Sequence, residues 1–342
     1  MKHINIPIFI PHLGCPNRCI FCNQRYISGT TCFDENSVDE QINRVLSTVS
    51  SEDECEIAFF GGSFTGIDRN LMIRLLDKAQ KYVNSGMISS IRMSTRPDYI
   101  SDEIISILQN YSISCVELGI QSMNDKVLSY LKRGHTVHDT EIACQRLKNA
   151  GFSFVGQMMV GLPTSTVEDE IYCAKRICKL GASGSRIYPT IVFKDTELMS
   201  LLNDGAYTAL TIEQAVDRSA KVLDVFVENN VPCIRIGLCD SENLHSKDTY
   251  VDGPNSPALG EMVKSRVYLN RLTHILNEAH CIDKEIKIFC PNGATSQVVG
   301  HKKVNITKLK DEFGIKHIKI IEKVHLDAFE VEIERNGGNT CD

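Results

Sequence analysis

The sequence predicts an α/β protein, a partial (β/α)6 TIM-like barrel with a small C-terminal α/β lobe. Two observations carry this. Short apolar β-like runs alternate with longer segments of helical period over the first 190 residues or so. The strand candidates are mostly apolar rather than alternating, as expected for parallel strands covered by helices.

The strand candidates are 4–10, 55–60, 90–95, 114–120, 154–160 and 185–192. Helix candidates lie near 37–49, 68–84, 101–110, 124–132, 139–150 and 167–180. A further helix (212–229) and strand (233–237) complete a first domain over 1–240. A polar loop at 240–257 and a helix near 258–279 make a connector over 241–280. A loop this long is either mobile or functional. The lobe, 281–335, offers strand 285–289, helix 305–313 and strands 317–321 and 328–334, and 336–342 reads as a disordered tail.

Composition narrows the class. The chain has 342 residues, 42% apolar and 23% charged, as in ordinary globular proteins. Its net charge of -6 excludes a polycation that wraps nucleic acid, though not a local basic face. The N-terminal apolar run is short and broken by Pro7 and Pro11, so neither a secretory leader nor a membrane span is expected, and the protein reads as cytoplasmic.

Fourteen cysteines are present. Eleven are scattered, many in apolar runs, and read as small buried hydrophobes in a reducing cell. The other three, Cys15, Cys19 and Cys22, form a C-x3-C-x2-C array in the loop after the first strand. Soft thiolates select iron–sulfur or zinc sites. Three can hold three irons of a cubane and leave the fourth open. A zinc site would recruit a fourth ligand, and Cys32 is the nearest cysteine.

The other strand ends carry further motifs: Gly61-Gly62-Ser63 after the second, Thr95-Arg96-Pro97-Asp98 after the third, Glu117 to Ser122 in the fourth and Gly161-Leu162-Pro163 after the fifth. Lys132-Arg133-Gly134-His135 follows one helix later. In parallel α/β folds chemistry sits at these carboxyl ends. The set resembles the radical S-adenosylmethionine (SAM) superfamily, most of all the branch containing the elongator catalytic subunit and the oxygen-independent coproporphyrinogen oxidases. The resemblance covers nearly the whole chain, most specifically 12–163. The acetyltransferase domain of the elongator subunit has no counterpart in it.

The resemblance implies a [4Fe-4S] cluster on Cys15, Cys19 and Cys22. It implies SAM contacts by Phe21, Gly61, Gly62, Ser63, Glu117, Gln121, Arg133 and Gly161, with Gln121 toward the ribose and Arg133 toward the carboxylate. Ser94 is a further SAM candidate. It departs from the branch, which often has Glu there, and Gln157 stands where the oxidases have Asp. Glu117 is alternatively an interior ion-pair partner.

The resemblance also implies reductive SAM cleavage to a 5′-deoxyadenosyl radical, driven by an external electron donor such as flavodoxin or ferredoxin. The expected substrate is a small modified nucleoside or nucleotide. One activity described in stand-alone members of this size is queuine lyase, a lyase of queuosine salvage that frees queuine from queuosine 5′-phosphate. Catalytic candidates are Tyr188, Arg186 and Gln157. Substrate candidates are His12, Gln24, Arg96 and Arg235. Two rivals remain: a tRNA-modifying enzyme and a non-catalytic iron–sulfur electron-transfer or binding protein. The first draws on a tail, 301–325, with seven lysines against three acids.

Overall fold

Seven of the apolar runs form one parallel sheet: β1 (His3–Phe9), β2 (Glu54–Phe60), β3 (Ser90–Thr95), β4 (Ile113–Gln121), β5 (Ser153–Val160), β6 (Gly184–Pro189) and, after the short β7 (Val192–Phe193), β8 (Cys233–Ile236). The computed structural model describes residues 2–16, 19–30, 32–50, 52–239, 246, 248–278, 284–335 and 340–341. Strand order is β1-β2-β3-β4-β5-β6-β8, every pair parallel. The first and last strands lie at opposite edges, so the barrel is partial. The six predicted strands keep their sequential order, and the 233–237 run adds a seventh.

The intervening helices have local start signals. Thr136, Thr166 and Thr211 each form a capping box, and Asp68 and Ser101 cap the helices Arg69–Asn84 and Asp102–Leu108 with their side chains. Each then buries one stripe against the sheet. In Arg69–Asn84 the stripe is Met72, Leu75, Leu76 and Ala79, the three-and-four spacing of an amphipathic helix.

Two predicted strands are shorter than expected. The 185–192 run breaks at Pro189. Thr190 binds the Val160 carbonyl with both its N–H and its hydroxyl, and Val192–Phe193 pairs antiparallel with β9 (Tyr250–Asp252). The polar loop therefore returns to the barrel through β9, while its residues 240–245 and 247 lie outside the described residues.

In the lobe, β10 (Glu285–Pro291) pairs in parallel with β11 (His317–Lys323) and antiparallel with β12 (Glu332–Arg335). The 328–334 run starts as a strand only at Glu332, because Asp327 and Glu330 close a turn and Phe329 takes a positive φ. Within the expected tail, β13 (Thr340–Cys341) pairs with β12, and the rest lies outside the described residues.

Packing accounts for seven of the eleven scattered cysteines: Cys55, Cys115, Cys144, Cys173 and Cys290 are buried, and Cys178 and Cys233 are partly buried against the main core. Cys32 and Cys239 are exposed, which corrects the packing reading for those two. Cys281 lies outside the described residues.

Candidate active site

The cysteine loop rests on the glycine turn, backbone against backbone. Ile10 N–H donates to the Phe60 carbonyl (2.7 Å), His12 N–H to Gly61 (3.0 Å) and Ser63 N–H to the Leu13 carbonyl (3.2 Å). A Cβ on Gly62 would stand 2.4 Å from the Leu13 oxygen, and one on Gly14 (φ 73°) 2.2 Å from the Ser63 oxygen. Only glycine permits this approach.

Cys15, Cys19 and Cys22 line one cavity of about 850 Å3 together with Phe21, Gly62, Gln121, Arg133, His12, Gln24, Arg96 and Gln157. Eleven predicted residues, from five successive strand segments and the turn that holds Arg133, thus converge. Cys32 lines a different groove, beside Phe9 and Phe33, so it does not complete a zinc set.

Burial pushes the Cys22 thiol up to about 12, and the neighbouring thiols Cys19 and Cys15 add to this. Cys15 is raised too, first by burial, against the lowering pull of Arg133. The pocket does not ionise these thiols by itself, as it would for a cysteine nucleophile. A metal that displaces their protons would. Among the described residues no three His, Cys, Asp or Glu side chains converge closely enough to hold a single metal ion. The donor set nevertheless fits a sulfur-bridged iron cluster, whose separate irons take separate thiolates.

Arg133 joins the thiols to β4. Its Nη1 donates to Cys19 Sγ (3.4 Å), its Nη2 to the Gly119 carbonyl (2.8 Å), and its buried Nε has no partner among the described residues. A Cβ on Gly119 would stand 2.7 Å from Nη2, so the glycine makes room for the guanidinium. Two residues on, Gln121 takes φ 66° where the β4–β5 register slips. Non-glycine residues held in this region recur at functional sites. Arg96 is nearly fully buried and grips Asp98 through Nε (2.9 Å) and Nη2 (2.7 Å), leaving Nη1 without a partner among the described residues. An unpaired N–H on each of two buried cations suits an anionic ligand.

His12 and Gln24 brace the loop: His12 Nε2 accepts the Gln24 N–H (3.0 Å), and Gln24 Nε2 lies 3.6 Å from Cys22 Sγ.

The remaining predicted residues do not line this cavity. The buried Ser63 hydroxyl bonds Thr95 Oγ1 (2.8 Å) and accepts the Arg96 N–H (3.2 Å), so it ties β2 to β3. Gly61 supplies the turn (φ 98°) that lets Gly62 reach the wall. Gly161 is spent on packing: its N–H donates to Glu170 (2.6 Å) and its carbonyl accepts from Tyr207 (2.9 Å). Ser94 lies 3.4 Å from Gln157.

Glu117 takes the ion-pair role. It binds Arg186 (2.6 Å), Arg92 (3.2 Å) and Gln157 (2.7 Å), and Arg92 also binds Glu56 (3.0 Å). A buried charge ladder, Glu56–Arg92–Glu117–Arg186, therefore crosses β2, β3, β4 and β6. Tyr188 and Arg235 lie beside its Arg186 end. Burial pushes the Tyr188 phenol up to about 12.

Sequence reading missed one wall. Asn23, Arg25, Tyr26, Asp195, Thr196, Glu197 and Thr249 also line the cavity. The segment after β7 crosses back to the cysteine loop. Leu198 N–H donates to the Ile20 carbonyl (2.8 Å), Lys132 binds Glu197 (2.6 Å), and the Tyr26 hydroxyl donates to Asp195. Asp195 takes φ 58°, and no local motif announces that turn.

Residues 9–175 match the radical SAM superfamily and 182–269 the radical SAM C-terminal domain. An uncharacterized protein of Methanocaldococcus jannaschii is 29% identical over 227 residues, covering 63% of this chain and 69% of its own. The tRNA uridine(34) acetyltransferase of the same organism is 32% identical over 147 residues, 42% of this chain and 27% of that relative, so the chain spans little more than a quarter of its length. The archaeal Methanocaldococcus infernus Elp3 with an N-terminal deletion shares the fold at TM-score 0.61 and 21% identity, over 80% of this chain and 63% of that one. Among the described residues no helix is long and apolar enough to cross a membrane. The cysteine loop, the glycine turn and the Arg133 site all fall within the first matched region, and the chain belongs to the radical SAM superfamily, whose enzymes use a [4Fe-4S] cluster and SAM.

Proposed function

We propose that Cys15, Cys19 and Cys22 hold the [4Fe-4S] cluster, that SAM binds in the cavity above them, and that the enzyme removes a hydrogen atom from a modified nucleoside. The observation that carries the reading is Arg133. It contacts a cysteine thiol and keeps one buried N–H for an anion in the same cavity. When bound, cluster and SAM together supply a 5′-deoxyadenosyl radical from an electron delivered by an external donor of the flavodoxin or ferredoxin kind. The chain supplies the rest. Arg133 and Arg96 offer guanidinium N–H groups to a carboxylate. Gly62 keeps the wall open to close backbone approach. Phe21, packed against the buried apolar group of Ile20, Val127, Leu131 and Leu162, screens the cluster side from water.

The specific substrate proposed is queuosine 5′-phosphate, with release of queuine. The cavity supports a compact substrate: its volume is in the range of a small-molecule site and its walls carry amides and guanidiniums suited to a base edge. Activity on tRNA is the second reading, supported by a relative named as a tRNA uridine(34) acetyltransferase.

Anaerobically reconstituted protein with SAM, dithionite and queuosine 5′-phosphate tests these readings. Formation of 5′-deoxyadenosine with free queuine is the expected result. Formation of 5′-deoxyadenosine without queuine removes the lyase. Salt-sensitive tRNA binding then favours the second reading. No SAM cleavage leaves a non-catalytic iron–sulfur protein. Cys15→Ala, Cys19→Ala and Cys22→Ala should each abolish both the brown cluster absorbance and SAM cleavage.

A further inference from the structure

Gln157, Arg186 and Arg235 stand side by side on β5, β6 and β8, as direct register partners. Neighbours in register on parallel strands point to the same face, about 4.8 Å apart. Gln157 lines the cavity, so the row runs from the cavity wall to the open edge of the sheet.

Two arginines in adjacent register positions repel each other, and like charges so placed are destabilising. The pairing is not forced by the sheet. Ser185 pairs with Cys233, and the next residue, Arg186, pairs with Arg235, so Ile234 is an extra residue. Without that bulge Ile234 would face Arg186. Bulges re-aim side chains near active sites, and this one turns a second guanidinium into line with the first.

The row is short of negative charge. Glu117 is shared by Arg92 and Arg186, and among the described residues Arg235 has no acidic partner. The Arg186 side chain is only 9% exposed, yet its Nε and that of Arg235 have no hydrogen-bond partner among the described residues. Tyr188 lies two residues nearer the strand end on the same face, beside Arg186.

We infer that Arg186, Arg235 and Tyr188 form an anion subsite that holds a phosphomonoester or a carboxylate of the substrate, beside the cavity and beyond Gln157, which lines its wall. The inference rests on the proposed function and narrows it to an anionic substrate. Two guanidinium forks and a phenol match the oxygens of either group. A bound anion would then supply the negative charge that, among the described residues, the row lacks.

The test uses the anaerobically reconstituted protein saturated with SAM, so that the Arg133 side is filled. Equilibrium dialysis with radiolabelled inorganic phosphate should show saturable binding. Arg235→Gln should weaken it by about tenfold or more, and Arg235→Lys should retain most of it. Arg235 is part-exposed and outside the charge ladder, so its variants are expected to fold, and thermal melts check this. Displacement of phosphate by equimolar acetate assigns a carboxylate-bearing substrate, while resistance to acetate assigns a phosphomonoester. Absence of saturable phosphate binding, or an Arg235→Gln variant that binds it as wild type does, overturns the inference. The same preparations are assayed for 5′-deoxyadenosine. Phosphate binding without SAM cleavage leaves the subsite standing and rejects the radical function, whereas SAM cleavage without phosphate binding does the reverse.

Discussion

The guanidinium of Arg133 and the thiol of Cys19 stand 3.4 Å apart although the two residues are 114 positions apart in the chain. The contact makes one side chain answerable to both the cluster loop and the end of β4. A lysine at 133 keeps the charge but cannot reach Cys19 and the Gly119 carbonyl together. Arg133→Lys should retain the cluster absorbance and raise the SAM concentration needed for half-maximal 5′-deoxyadenosine formation by about tenfold or more. An unchanged SAM dependence would separate Arg133 from SAM.

Gly62 is a steric requirement before it is a binding element. Its missing Cβ is the space into which the Leu13 and Ile10 carbonyls fit. Gly62→Ala should cost about 1–3 kcal/mol in urea unfolding and lower the iron bound per chain, because the cysteine loop must lift off the second strand's turn. Full iron content with wild-type stability would contradict the packing described above.

Glu117 is buried between two arginines and an amide. Removing one partner of such a set strands the others. Glu117→Gln should therefore destabilise the fold by about 3–5 kcal/mol, measured from denaturant midpoints. A loss below about 1 kcal/mol would mean that water reaches the ladder and screens it.

His135 links stability to pH. Burial, helped by the charges of Arg133 and Arg96, pulls its imidazole down to about 3, against an ordinary value of 6.5. Above the ordinary value neither the folded nor the unfolded chain is protonated there, and the folded state keeps its full stability. As the pH falls from 6.5 toward 3, the unfolded chain takes up a proton that the folded one refuses. Stability is then lost at up to about 1.4 kcal/mol per pH unit. His135→Phe should flatten this part of the profile. Urea midpoints at two pH values inside that window check it, and parallel wild-type and variant profiles would reject His135 as the source.

The strand ends were legible because each motif is local. Cysteine spacing, a Gly-Gly after an apolar run and an arginine before a proline are all read from a few adjacent letters. Contacts that depend on where a side chain turns were not. Ser63 and Gly161 look like ligand contacts in sequence, yet both are consumed by partners in distant segments, Thr95 for one and Glu170 and Tyr207 for the other. Glu117 carried two readings, and register against β3 and β6 brings two arginines to it. The 194–198 wall was invisible, because a positive φ at Asp195 and a long-range bond to Ile20 leave no periodic trace.

That wall changes what the cysteine motif is. Ile20 sits between the second and third cysteines, with its N–H held by Leu131 and its carbonyl by Leu198. The short stretch is thus sutured to two parts of the chain that come more than a hundred residues later. It is not a portable cassette. Grafted onto another barrel, the C-x3-C-x2-C sequence would arrive without the stitches that set its shape, and residues 131–133 and 194–198 would have to travel with it.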